Sequence, residues 1–299
     1  MDDGMDGYRV RTVDGWELAV RTRRASDPGR RGAALLLPAM MVDSRTLDKP
    51  VGDGLAATIA RAGFDVHVAD FRGHGGSGPK VSDGGRWSYD DLVQHDVPAL
   101  LAGVAERSGG PVWVVGHSLG AHVSLACSGT IGGPVVPHGH VLIAGNVWMP
   151  SLEGSRRRTL RKDVTIRMFR RVVQAVGHWP SRAIRMGNVD ESAPYVEDLC
   201  RFWLQDGWRD RAGRLDYLAG LRQVQGPVLC VAGAGDAIMG HVEGVRAFAE
   251  RLGPGRAEFL YARRGEHGLD WDPGHMGLVT DPRSRPLWED IAAFMRART

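Results

Sequence analysis

Within Gly116-His117-Ser118-Leu119-Gly120 lie the residues of this chain best suited to chemistry. A serine hydroxyl is a weak nucleophile at neutral pH and needs a base to take its proton. The base needs a carboxylate to hold it in orientation. Residues 111–115 (PVWVV) read as a strand buried on both faces, and the apolar stretch to about residue 128 reads as a helix. A serine between them is forced onto a sharp turn, with its hydroxyl raised at the C-terminal end of a sheet and near a helix N-terminus. Glycine is required on both flanks because side chains there would meet the neighbouring strand and helix. The five-residue pattern alone is weak; its place between strand and helix makes it specific.

A sheet must hold that turn, and the rest of the chain supplies one. Residues 8–13 and 16–21 read as strands joined at Asp14-Gly15, a hairpin signal. Residues 33–37 (AALLL) form a short apolar run, 53–62 a helix ended by Gly63, and 64–69 a strand. Residues 88–107 read as a helix with Ser88 as N-cap and Asp90 and Asp91 in its first turn. Strands follow at 140–144, 228–232 and 257–261, with helices over 242–252 and 287–298. This alternation predicts an α/β fold with a mostly parallel central sheet and helices on both faces. Residues 146–223 break the rhythm with helical spacing and no convincing strand, so a helical cap or lid is expected there, on a core of 1–145 and 224–299.

The chain resembles the α/β-hydrolases over nearly its whole length. The Asp70–Gly78 loop (DFRGHGGSG), the serine turn and a late acid and histidine carry the likeness. More narrowly it is similar to a little-characterised bacterial branch with a P-A-x-G-V loop and a G-H-x-G-F-F segment before a Leu-Trp helix. Here these read Pro38-Ala39-Met40-Met41-Val42, Gly274-His275-Met276-Gly277-Leu278-Val279 and Leu287-Trp288. Met41 stands where that branch has glycine, and Leu278-Val279 where it has Phe-Phe.

The resemblance implies the order serine, acid, histidine. Asp236, after the strand at 228–232, matches the family's G-x-x-D, although turns favour aspartate in any case. Two histidines follow the last strand. His267 is nearer the strand end; His275 matches the family segment and is favoured as base. The oxyanion of a tetrahedral intermediate needs two backbone donors. The resemblance implies the amides of Leu119 and Met40, with Met41 as fallback. Met41, His117, Trp148 and Trp203 are candidate substrate contacts. Tryptophans at 148, 179, 203 and 208 suggest an apolar or aromatic pocket under the cap.

The reading is a serine hydrolase acting on a small-molecule carboxylic ester or thioester through an acyl-enzyme on Ser118. An acyltransferase would use the same residues, and a non-catalytic ligand-binding protein is a third possibility from another class. No metal-ligand spacing occurs, and no cofactor is expected. The charge is +3 from 38 basic and 35 acidic residues, too balanced for a dedicated nucleic-acid binder. Three separated cysteines do not form a disulfide framework. The acidic start lacks the apolar run of a signal peptide, and no run is long enough for a membrane span, so a cytoplasmic chain with no membrane partner is expected. Arg156, Arg157, Arg158, Arg161, Lys162, Arg167, Arg170 and Arg171 make one cap helix strongly basic. A solvated helix face is the ordinary explanation; an acidic partner such as an acyl carrier protein, or a coenzyme A thioester, is the sharper one.

Overall fold

The computed structural model describes residues 5–26, 29 and 31–299; the start of the acidic leader, residues 1–4, lies outside them. Eight strands form one sheet in the order β1-β2-β4-β3-β5-β6-β9-β10. The hairpin of β1 (Asp6–Arg11) and β2 (Glu17–Arg23) turns at Asp14-Gly15, where Gly15 has φ 92°. β2 runs antiparallel to β4 (Phe64–Ala69). All later pairings are parallel: β3 (Gly32–Leu37) with β4 and β5 (Val112–His117), β6 (Gly139–Ile143) with β5 and β9 (Val228–Gly233), and β9 with β10 (Ala257–Ala262). β7 (His178–Trp179) and β8 (Glu191–Ser192) make a separate two-residue pair, in a stretch where the sequence offers no strand.

Strands β3 to β6 and β9 are buried along their whole length, as apolar runs covered on both faces should be. Alternate residues feed two cores. Leu35, Leu37, Val112, Val114 and Leu142 face one, and Ala34, Leu36, Trp113, Val115 and Val141 the other. Helices α3 (Val97–Ser108), α4 (Leu119–Thr130) and α8 (Val242–Ala249) cover the first, while α1 (Leu55–Arg61) and α10 (Arg285–Arg296) cover the second. The helix expected over 88–107 starts at Ser88 with a capping box to Asp91, but it is not uniform. One turn of α2 (Tyr89–Asp91) passes into a π-turn over Leu92–Asp96 before α3. The wide turn ends at Asp96, a buried carboxylate that accepts from Arg72 Nε at 2.7 Å.

Between β6 and β9 lie α5 (Arg156–Val176), α6 (Ala193–Leu204) and α7 (Tyr217–Gly220); the short α9 (Gly277–Thr280) precedes α10. Leu160, Val164, Met168, Val172 and Val176 recur at helical spacing, and α5 forms there, but this row does not mark its buried side. Lys162, Ile166, Phe169 and Val173 point inward, whereas Leu160, Val164, Met168 and Val176 are exposed. A row at every fourth residue gains about 40° per step and so winds around the helix. Among the described residues, no helix is long and apolar enough to cross a membrane.

The turn that carries Ser118 is closed by contact. A Cβ on Gly116 would lie 2.5 Å from Ala121 Cα, and one on Gly120 2.6 Å from Leu37 Cβ. Backbone on both sides cannot retreat. We therefore expect Gly120→Ala to lower the unfolding free energy by at least about 1–3 kcal/mol, as overpacked cores do. Chemical denaturation would read this; an unchanged midpoint would mean that α4 can slide away from β3.

Candidate active site

Ser118 follows β5 directly and precedes α4, with φ 51° and ψ −109°. A side chain in this region costs on the order of 1–3 kcal/mol and persists only where the surroundings impose it. The Ser118 amide donates to Ile143 O at 2.8 Å and the Gly120 amide to Pro38 O at 3.0 Å, which tie the turn to β6 and to the loop after β3. Ser118 is partly exposed while both its neighbours are buried.

It opens on a pocket lined by Met40, Leu119, Trp148, Ile166, Phe169 and Phe202 among others. The walls are mostly apolar. α5 and α6 contribute to the same pocket as the serine turn. Polar groups are few. His122, one turn beyond Ser118, accepts from the Tyr89 hydroxyl at Nδ1 (2.8 Å), because that hydroxyl itself takes a bond from Trp208 Nε1. Burial pushes the His122 pKa down to about 3, so the ring is neutral. The buried Tyr195 hydroxyl and Asn146 Nδ2 also belong to lining residues and have no partner among the described residues.

Asp236 lies just past β9 in a tight turn. Its Oδ1 accepts from the amide of Met239 (3.0 Å), and its Oδ2 from the amide of Gly240 (2.8 Å). Oδ2 also accepts from His275 Nδ1 at 2.6 Å. Burial pushes this carboxyl up, but the His275 bond and charge, with the Gly240 and Ile238 amides, outweigh it and hold the pKa below the usual carboxylate range. The loop bearing His275 packs on the turn bearing Asp236: Gly235 N donates to Pro273 O at 3.0 Å. His275 also lies against the serine turn. His117 Nε2 donates to His275 O at 3.0 Å, and the two ring centroids are 4.9 Å apart. Burial, then the neighbouring His275, lowers the His117 pKa to about 3, so no second positive charge competes there.

His267 is placed elsewhere. It sits at φ 53° and its Nδ1 meets Asp290 of α10 at 2.8 Å, on the outer surface with Glu258 and Arg298. Of the expected substrate contacts, only Trp148 lines the pocket, with its Nε1 fixed on Met239 O (2.9 Å). Three expectations are corrected. His117 is consumed in holding His275. Trp203 is buried beside α5, donating to Asp163 at 3.2 Å. The Met41 side chain is 4% exposed in the core and does not line the pocket. Sequence reasoning missed Ile166, Phe169, Tyr195 and Phe202; the aromatic content of 195–203 was the one available signal.

The Met41 backbone is the other surprise. With φ 63°, it donates its amide to Glu191 Oε1 (2.5 Å), and its carbonyl accepts from the amides of Asn188 (2.9 Å) and Val189 (3.0 Å). Its amide is therefore spoken for and cannot serve an oxyanion. The amides of Met40 and Leu119 have no protein acceptor among the described residues. Glu191 also faces His74, at 3.2 Å from Nε2, and His74 Nδ1 donates to Arg72 O at 2.9 Å. Burial works against a charged His74, yet the Glu191 carboxylate and the Arg72 carbonyl outweigh it and raise its pKa. The Gly73–Gly78 loop thus has a structural part.

Among the described residues, one group of side chains could converge on a metal, Asp14, Asp91 and His95. Asp14 is paired to Arg72 and Asp91 caps α2, and neither borders the Ser118 pocket.

The family model described as serine aminopeptidase, S33, matches residues 51–273. A segment of 109 residues is 30% identical to triacylglycerol lipase 2 of Arabidopsis thaliana, covering 34% of this chain and 26% of that protein. The chain thus spans about a quarter of the length of this relative. The fold is similar to that of the Pyrococcus furiosus esterase Pf2001, at TM-score 0.61 and 15% identity over 98% of this chain and 90% of that one. It is also similar to a Paleococcus ferrophilus monoacylglycerol lipase, at TM-score 0.60 and 17% identity over 95% and 100%.

Removing the Glu191 carboxylate by Glu191→Ala should cost about 3–5 kcal/mol, since it strands the buried Met41 amide and the buried His74 ring. With a raised folded pKa, the ionic part of the His74 contribution is complete below the ordinary value near 6.5 and disappears as pH rises through the raised value. The stability gap between wild type and Glu191→Gln should therefore shrink from pH 6 to pH 9 in urea titrations. A gap constant over that range would mean that His74 is neutral.

Proposed function

The chain belongs to the serine aminopeptidase S33 family of α/β-hydrolases, and from that premise we propose that it cleaves carboxylic esters or thioesters of small molecules with an apolar or aromatic part. The observation that carries this reading is the setting of Ser118. Its backbone is held at φ 51° at an apolar pocket that Met40 and Leu119 also line, and the amides of those two have no protein acceptor among the described residues. The relatives named as esterases and lipases support an ester as substrate.

In this reading Ser118 Oγ attacks the acyl carbon and its proton passes to His275 Nε2, the ring nitrogen left free by the Asp236 bond. Asp236 keeps the ring in that tautomer and stabilises the imidazolium. Negative charge gathers on the former carbonyl oxygen, and the Met40 and Leu119 amides hold it. Collapse expels the alcohol or thiol, which takes the proton from Nε2. Water then attacks the acyl-enzyme with His275 as base, and the acid leaves. Residues 146–223 act as a cap: Ile166, Phe169 and Phe202 roof the pocket and keep water from the oxyanion.

The test is intact mass after exposure to a fluorophosphonate. Wild type should gain one adduct, Ser118→Ala none. His275→Ala should label at least about 10²-fold more slowly, as loss of a general base implies, and His267→Ala at the wild-type rate. Labelling that survives Ser118→Ala would sink the assignment, and slow labelling in His267→Ala would move the base. Adding an alcohol acceptor during ester turnover then separates hydrolysis from acyl transfer.

A further inference from the structure

The outer face of α5 has no role in the pocket, and its composition is unusual. The structure has ten large apolar side chains with substantial exposure among the described residues, and six of them fall between 160 and 186: Leu160, Val164, Met168, Val176, Ile184 and Met186. Ten of the chain's 38 basic residues and one of its 35 acidic ones lie in residues 156–186, so the remainder of the chain is net acidic. Arg158 and Lys162 are drawn inward onto Glu153, and Arg167 pairs with Asp163. Arg156, Arg157, Arg161, Arg170, Arg171, Arg182 and Arg185 are exposed, with no carboxylate in ion-pair reach among the described residues.

The two features share one surface. At about 100° per residue, Leu160, Val164 and Met168 span about 80° of the helix circumference, opposite the buried row, with Arg157, Arg161 and Arg171 among them. Exposure of Leu160 is 65% and of Val164 60%, values that a solvated face would not select. An acidic protein would satisfy the arginines and leave the apolar side chains without a purpose. A bilayer offers a plane of phosphates with hydrocarbon a few ångströms beneath it, and a helix lying in that plane meets both.

We propose that the outer face of α5 docks on a lipid surface bearing anionic headgroups. The arginines contact lipid phosphates, and Leu160, Val164 and Met168 enter the acyl boundary. The helix lies on the surface and does not span it. This inference does not depend on the acyl chemistry of Ser118.

The experiment is vesicle flotation of the full chain with phosphatidylcholine alone, or with about one-third phosphatidylglycerol, at about 0.1 M salt. Binding should favour the anionic vesicles by at least about tenfold. Two triple variants, Leu160→Gln/Val164→Gln/Met168→Gln and Arg157→Gln/Arg161→Gln/Arg171→Gln, should each lose about tenfold or more of that binding. Both should keep wild-type melting temperature and turnover of a short soluble ester, because the exchanged side chains are exposed and outside the pocket. The proposal is overturned if wild type does not float, or if the apolar triple variant floats as wild type does. It is also overturned if light scattering finds a dimer that the apolar variant dissolves, or if acyl carrier protein, and not vesicles, binds the arginine face. None of these outcomes touches the fluorophosphonate test, so failure of one reading is distinguishable from failure of the other.

Discussion

The Met41 backbone cannot rest at φ 63° by its own preference, since a β-carbon in that region is crowded. Three partners from residues 188–191 hold it: two amides on its carbonyl and one carboxylate oxygen on its amide. That carboxylate is held by His74, His74 by the Arg72 carbonyl, and Arg72 by Asp14 and Asp96. A buried line of charge thus runs from the first hairpin to the loop beside Ser118. Apart from Asp14, which is exposed, the links are buried, so each is costly to leave alone and the inner part of the line holds as a unit. Its effect at the site is selective. It occupies the Met41 amide, while that of Met40, a residue lining the pocket, has no protein acceptor among the described residues.

The same economy governs the other half of the site. Four loops meet at the C-terminal ends of the parallel strands, where a sheet of this winding leaves a crevice. β5 delivers Ser118, β3 delivers Met40, β9 delivers Asp236, and the segment after β10 delivers His275. Short bonds between loops replace long-range order: Gly120 to Pro38, Ser118 to Ile143, Gly235 to Pro273, His117 to His275. His117 shows how a residue inside the pentapeptide serves the site without touching its pocket. Being neutral and buried, it fixes the carbonyl of the histidine beside it and adds no charge to the field around that ring.

What the sequence disclosed follows from which interactions are local. Strands buried on both faces announce themselves as apolar runs, so β3, β5, β6 and β9 were readable to within a residue or two. The glycines at 116 and 120 are equally local, because each is dictated by backbone a few residues away or one strand over. The preference for His275 over His267 came from a family pattern; the structure gives each its own carboxylate, Asp236 and Asp290. Spacing alone could not have chosen, since both follow the same strand. The Glu191 clasp was invisible for a different reason. Its partners are 117 and 150 residues away, and nothing in a lone glutamate before Ser-Ala-Pro marks it as buried. The inward side of α5 was not legible, because Lys162, Ile166, Phe169 and Val173 take the inner positions while Leu160, Val164 and Met168 face out.

The reach of residues 181–192 into the core has a consequence for how this chain can be altered. A segment inserted between two strands looks exchangeable, a module to be swapped for another with a different binding preference. Here the seam is not at the ends of the insertion. Asn188 bonds Asp43 in both directions, Ser192 receives the Trp87 amide, and Glu191 sits under the loop after β3. Cutting at 146 and 223 would remove part of the scaffold of the core along with the cap. A chimera that respects the physical boundary would exchange only α5 and α6, and would keep the arm between them as native sequence.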